Sequence, residues 1–135
     1  MSRLIEELKN EHKLILDILD QVRTLGISSR SGREKLLSAR DLLIAHMTKE
    51  DEMYYPELRT AAENNKGLKI MLDYFAKDME DVSSKAMYLF DKYSKGRDEA
   101  EFAGEIKLLY VTLRDRIQTE EHTLFNKLDP GHDAS

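Results

Sequence analysis

The stretch AHMTKEDEMYYPEL, residues 45–58, decides how the chain is read. His46 and Glu50 stand four residues apart, which on a helix is one turn along the same face. They continue an apolar stripe, Leu36, Ala39, Leu43, His46, Glu50 and Met53, whose spacing alternates between three and four. Side chains in such a stripe point at other helices rather than at water. An imidazole and a carboxylate placed there need a partner, because a buried unpaired charge costs several kcal/mol or is forced to neutralise. That partner is either a metal ion or another side chain.

Reading outward, three more stripes appear. The first helix, from about Arg3 to Thr24, carries Ile5, Leu8, Ile15, Leu19 and Val22, and His12 fills the one gap in its spacing. The polar run 26–32 is a turn. Ser31 with Glu34 fits a capping box for the second helix, which runs from about Gly32 into the low sixties and is kinked or loosened by Pro56. After the break at Asn64-Asn65-Lys66-Gly67, a third helix carries Leu68, Leu72, Phe75, Met79, Val82, Ala86, Leu89 and Tyr93. Asp98 with Glu101 offers a cap for the fourth, whose stripe is Phe102, Ile106, Leu109, Leu113, Arg116, Glu120 and Leu124. Asp129-Pro130-Gly131 stops it. Four helices joined by short turns predict an all-α, antiparallel up-down-up-down four-helix bundle over residues 1–128, followed by a tail over 129–135.

Composition agrees and narrows the function. With 135 residues the chain is one domain, and a composition with only two prolines and six glycines reads as all-helical. The absence of cysteine removes disulfides, thiolate metal sites and thiol nucleophiles. No apolar run is long enough for a membrane span and the N-terminus lacks a signal core, so the expectation is no membrane association and a cytoplasmic location. Net charge is −5 with both signs interspersed, and no basic tract marks a nucleic-acid footprint. No nucleophile motif or phosphate-binding loop is visible, so a binding protein is expected before an enzyme.

Counting outward from each turn places the polar residues in depth, because both arms of an antiparallel pair rise about 1.5 Å per residue. From a first turn centred on residue 29, His12 and His46 are equally distant. The same counting puts Glu50 opposite Met79, and Met79 opposite Arg116, with Glu120 one turn along. Every ionisable residue of the four stripes therefore falls in one layer. Imidazoles and carboxylates offered by facing helices suit non-haem iron, manganese or zinc.

The segments EHKLILDIL on the first helix and HMTKEDEMYYPEL on the second resemble the hemerythrin-like HHE cation-binding domain family, and the resemblance extends over nearly the whole chain. It implies a site built from a His on the first helix, His-x-x-x-Glu on the second, His on the third and His-x-x-x-Glu/Asp on the fourth. His12, His46 and Glu50 match. RIQTEEHTLFNKL aligns with HMTKEDEMYYPEL at an offset of 70, so Glu120 matches Glu50, while Arg116 stands where a His is expected and Met79 replaces the third-helix His. The resemblance thus implies one retained half-site, His12, His46, Glu50 and Glu120, holding one non-haem iron or similar divalent ion rather than two.

Around that half-site, Arg116 is expected as a buried counter-ion in the second metal's place. Met79 is expected in the core, and Asp78 on a solvated face or, with a small rotation, as a substitute ligand. Tyr54, one turn beyond Glu50, either packs or offers its hydroxyl to a carboxylate or a bound oxygen species. His122 and His132 are expected at the surface. Two functions follow: a metal-binding protein that binds or senses oxygen, nitric oxide or peroxide or handles iron, or a metal-free bundle in which Arg116 bridges Glu50 and Glu120 and the surface serves a protein partner. Ile18, Leu37 and Tyr55 are candidate oligomer contacts.

Overall fold

The computed structural model describes residues 2–97 and 99–125. Its helices are α1 (Ser2–Leu25), α2 (Arg30–Lys49), α3 (Tyr55–Ala62), α4 (Lys66–Tyr93) and α5 (Glu99–Thr119). A π-helical turn over Glu50–Tyr54 joins α2 to α3 in one continuous rod, and a second over Glu120–Leu124 extends α5. There is no strand among the described residues. Around the bundle α1 packs on α2 and α5, and α4 packs on α5 and on the α2–α3 rod. The turns 26–29 and 96–97 meet at one end, where Ile27 N–H donates to both carboxylate oxygens of Glu99 at 3.0 and 3.3 Å. This ring order and these meeting turns are those of the expected up-down-up-down bundle.

Apart from Met53 and Arg116 the stripes bury or half-bury as their spacing predicts, and their apolar residues form two bodies rather than one. One contains Ile15, Leu19, Leu36, Leu43, Phe90 and Leu113, toward the 26–29 turn. The other contains Ile5, Leu8, Tyr54, Leu58, Leu72 and Phe125. Between them lie the buried polar residues His12, His46, Glu50 and Glu120, while Met79, partly buried, packs against both bodies. The layer is shielded from water by apolar side chains at either end.

Local chemistry sets the helix ends. Gly26, at φ +72°, closes α1 with its N–H on the Val22 carbonyl at 2.8 Å, a conformation that a side chain would strain. The cap of α2 is Ser29, not Ser31: the Ser29 hydroxyl accepts from Gly32 N–H at 3.1 Å. Glu34 instead pairs with Arg30 at 3.0 Å. Capping two residues early lets the backbone of Gly32 close on Gly26, where an added Cβ would collide with the Gly26 carbonyl. Gly32→Ala is therefore expected to destabilise by about 1–3 kcal/mol, the usual cost of overpacking, as read from the urea midpoint at unchanged slope. The cap expected at Asp98 and the stop and tail at 129–135 lie outside the described residues, as does His132.

The π turns change which residues face inward. Met53, expected in the stripe, is 52% exposed, and Tyr54 is fully buried in its place. A π turn holds an extra residue, with Tyr55 N–H reaching back five residues to Glu50 O, so the inward face moves forward by one. Pro56 favours this opening because it has no N–H to donate and its ring crowds the preceding turn. The second π turn has Asn126 at the corresponding place, so proline explains only the first. Both turns begin on the inward glutamate, and they recur at the offset of 70.

Candidate metal centre

His12 comes from α1, His46 from α2, and Glu50 and Glu120 from the first residues of the two π turns. All four are at least 95% buried, and one ligand atom from each falls within 4.8 Å of the others. The rings of His12 and His46 meet edge to face with centroids 4.6 Å apart, as the equal distances from the first turn require. His46 Nε2 lies 3.0 Å from Glu50 Oε1, and His12 Nε2 lies 3.0 Å from Glu120 Oε1. Both inner nitrogens thus converge with two carboxylates on a single cavity. About 10 Å³ there is open to a water centre, room for one water or ion. Phe75, Leu113, Ile117 and Met79 wall its other side.

The outer nitrogens are also fixed. His46 Nδ1 is 2.7 Å from Glu11 Oε1, and His12 Nδ1 is 2.7 Å from Glu121 Oε2. Glu11 in turn pairs with Lys49, which also reaches Glu7 at 3.6 Å. A carboxylate on the outer nitrogen holds the proton there, sets the ring's orientation and leaves Nε2 as the inward donor. Glu11 and Glu121 are each one residue from an inward ligand candidate, Glu11 beside His12 and Glu121 beside Glu120. The pairs cross, since Glu11 supports His46, on the neighbouring helix.

The electrostatics of the layer need a cation or protons. Burial raises the Glu120 carboxyl well above its ordinary 4.5, reinforced by the charge of Glu50. Burial pushes Glu50 the same way, but hydrogen bonds with His46 and Glu120 and the charges of His46 and His12 outweigh it, and Glu50 is held below its ordinary value. Burial opposes a charged His46, yet Glu50 and Glu11 together raise it above 6.5. Glu50 Oε2 is fully buried with no hydrogen-bond donor to it, and the carboxylate beside it can share only a proton or a cation. A buried donor set of two imidazoles and two carboxylates with one orphaned oxygen fits a divalent ion, whose binding displaces the protons now held there.

The same shifts fix a pH dependence for the metal-free chain. His46 and Glu120 bind protons more tightly folded than unfolded, so their stabilisation is complete below the unfolded values and is lost as pH rises through the folded ones. Glu50 acts in the opposite sense, losing stabilisation as pH falls through its lowered value. The melting temperature of metal-free protein is expected to fall between pH 6.5, His46's ordinary value, and the alkaline side. A melting temperature that climbs across this range would contradict the assignment.

Arg116 is not the counter-ion expected of it. Its side chain is about one-third exposed and its Nε lies 2.5 Å from Asp78 Oδ2, so its charge is spent on the outer side of α4. It lines the cavity, and among the described residues its ion pair is with Asp78 rather than with Glu50 or Glu120. Asp78 is engaged in this pair and stands outside the four-residue cluster. Tyr54 is fully buried, its hydroxyl has no partner among the described residues, and burial with the charges of Glu120 and Glu50 raises its pKa, so the phenol keeps its proton. Of the oligomer candidates, Ile18 and Tyr55 are partly buried against the two apolar bodies and Leu37 is partly buried as well. His122 is exposed.

A four-helix bundle with a shielded layer of histidines and glutamates, capable of holding a metal, defines the class of this protein. The chain belongs to the hemerythrin HHE cation-binding domain family, whose model matches residues 3–128. No curated protein and no solved structure was found to match it. None of its helices is long and apolar enough to cross a membrane, among the described residues.

Proposed function

We propose that the protein holds one non-haem iron, or a similar divalent ion, through His12, His46, Glu50 and Glu120, and uses it to bind or sense a small molecule such as oxygen, nitric oxide or peroxide. The observation that carries this is the convergence of two oriented imidazole nitrogens and two buried carboxylates on one ion-sized cavity. Four protein donors leave coordination positions open, and an iron bound there supplies the affinity for such ligands. The protein's part is to orient the donors through Glu11 and Glu121, to exclude water with the two apolar bodies, and to present an apolar wall of Phe75, Leu113 and Ile117 on the remaining side. Tyr54 adds a buried O–H donor near the two carboxylates. Arg116 and Met79, where the family pattern places histidines, leave no second set of nitrogen donors, so a single ion is the reading. The metal-free alternative loses its main support with Arg116 turned to Asp78.

Titrating ferrous-loaded protein with nitric oxide tests the proposal: a saturable change in absorption at one ligand per ion supports it, and an unperturbed spectrum rejects it. Glu11→Gln should leave the fold intact yet weaken metal binding about 10- to 100-fold, as loss of an outer carboxylate on a metal-bearing histidine does. Competition against a chelator of known affinity measures this.

A further inference from the structure

Two grooves share lining residues with the cavity at the centre. One, of about 1020 Å³, runs between α2 and α4 and shares Met47, Glu50 and Met79 with the cavity. The other, of about 590 Å³, runs between α4 and α5 and shares Phe75 and Arg116 with it. The two differ in net charge. The α4–α5 groove is lined by two cations, Lys77 and Arg116, and two carboxylates, Asp78 and Asp81, so its charges balance, and Arg116 at its inner wall is paired with Asp78. The α2–α4 groove carries Asp51 and Glu80, both exposed, and ends on Glu50. Its one cationic lining residue, Arg59, is paired with Asp73 at 3.3 Å.

Glu50 is the link between outside and inside. It is 4% exposed, it lines both the groove and the cavity, and its Oε2 has no hydrogen-bond donor. Beside it Met47 and Met79 also line both the groove and the cavity, and their unbranched chains can swing aside without breaking a helix. The Ser83 hydroxyl lies 2.6 Å from the backbone carbonyl oxygen of Met79, one turn back on α4, and 2.9 Å from Met47 Sδ, placing the Met47 thioether against α4.

We infer that the α2–α4 groove is the loading path of the centre: a divalent cation gathered by Asp51 and Glu80 passes between Met47 and Met79 and is handed to Glu50. The inference rests on the metal-binding reading above and adds a route, a direction and a door to it. Acidic residues at the mouth act on the rate of entry through long-range attraction, which salt screens, while the ligands themselves set the affinity. Methionines that line both groove and cavity act on entry and exit alike.

Cobalt(II) is the probe, with uptake followed by stopped-flow absorption and exit by extraction with excess chelator. The double variant Asp51→Asn/Glu80→Gln should slow uptake about three- to tenfold at low ionic strength, with the difference vanishing in strong salt and the final occupancy unchanged. Met79→Ala should speed both uptake and extraction. Arg116→Gln should change neither. If the double variant loads at the parental rate, or Arg116→Gln loads faster, the route is wrong although the metal site stands. If the parent protein takes up no cobalt at equilibrium, the metal-binding reading fails first, before any rate is compared. Should Met79→Ala fail to fold, as far-ultraviolet circular dichroism would show, the two surface substitutions decide the question alone.

Discussion

His46→Ala is expected to abolish stoichiometric metal binding, with a loss well beyond the ~100-fold that removal of an outer-shell partner costs. The residue supplies one of two imidazole donors and is the point on which the most contacts converge. Its Nε2 meets Glu50, its Nδ1 meets Glu11, and its ring packs on His12. Truncating it leaves the Glu50 carboxylate buried without its partner, which destabilises the metal-free fold by about 3–5 kcal/mol if the carboxylate stays charged. The variant should therefore melt at lower temperature and show no upward shift when metal is added. His46→Gln separates the two effects, since an amide keeps a hydrogen-bonding group near Glu50 but is a poor nitrogen ligand. It should recover much of the stability and none of the metal. A His46→Ala protein that still binds one equivalent tightly would remove His46 from the site.

Glu120→Gln is expected to act in opposite directions on the two states. In the metal-free chain Glu120 is fully buried beside Glu50, and both its burial and the neighbouring charge penalise its ionisation. An amide has the same shape, carries no charge and can donate to the orphaned Glu50 oxygen. Satisfying that oxygen should stabilise the metal-free protein by about 1–3 kcal/mol near pH 8, and the decline of melting temperature with rising pH should flatten. The same change removes an anionic donor, so metal affinity should drop and the stabilisation brought by metal, which grows with the logarithm of its concentration over its dissociation constant, should largely disappear. A more stable protein that has lost its ligand is the signature of a site maintained for binding rather than for folding. Thermal melts of the metal-free and metal-loaded forms at pH 6 and 8.5 read both effects together.

Much of this is legible in the sequence. The alternation of three and four in each stripe set the four helices, and the polar interruptions at His12, His46, Glu50 and Glu120 marked a layer because counting from the turns put them at one depth. Glu11 and Glu121 were not legible. They sit at flanking positions in helices crowded with acidic residues, and nothing in the spacing distinguishes a glutamate that grips an imidazole on the next helix from one that faces water. Their adjacency to inward ligand candidates is the only signal, visible once the pairs are seen to cross. The Met53-for-Tyr54 exchange had a local cause, since a π turn breaks the 3.6-residue period on which the stripe was read. Arg116 was placed correctly in depth and wrongly in direction. A long side chain at the edge of the layer can reach outward, and Asp78 on α4 offered a partner at lower cost in desolvation than two buried glutamates.

Metal content per chain tests the mononuclear centre most directly. Protein produced untagged in iron-rich medium, freed of loosely bound ions and analysed by mass spectrometry should contain about one metal per chain, since four donors converge on room for one ion. The His46→Ala protein, prepared in parallel, should contain none. Two ions per chain, or none in the parent after iron supplementation, would contradict the account.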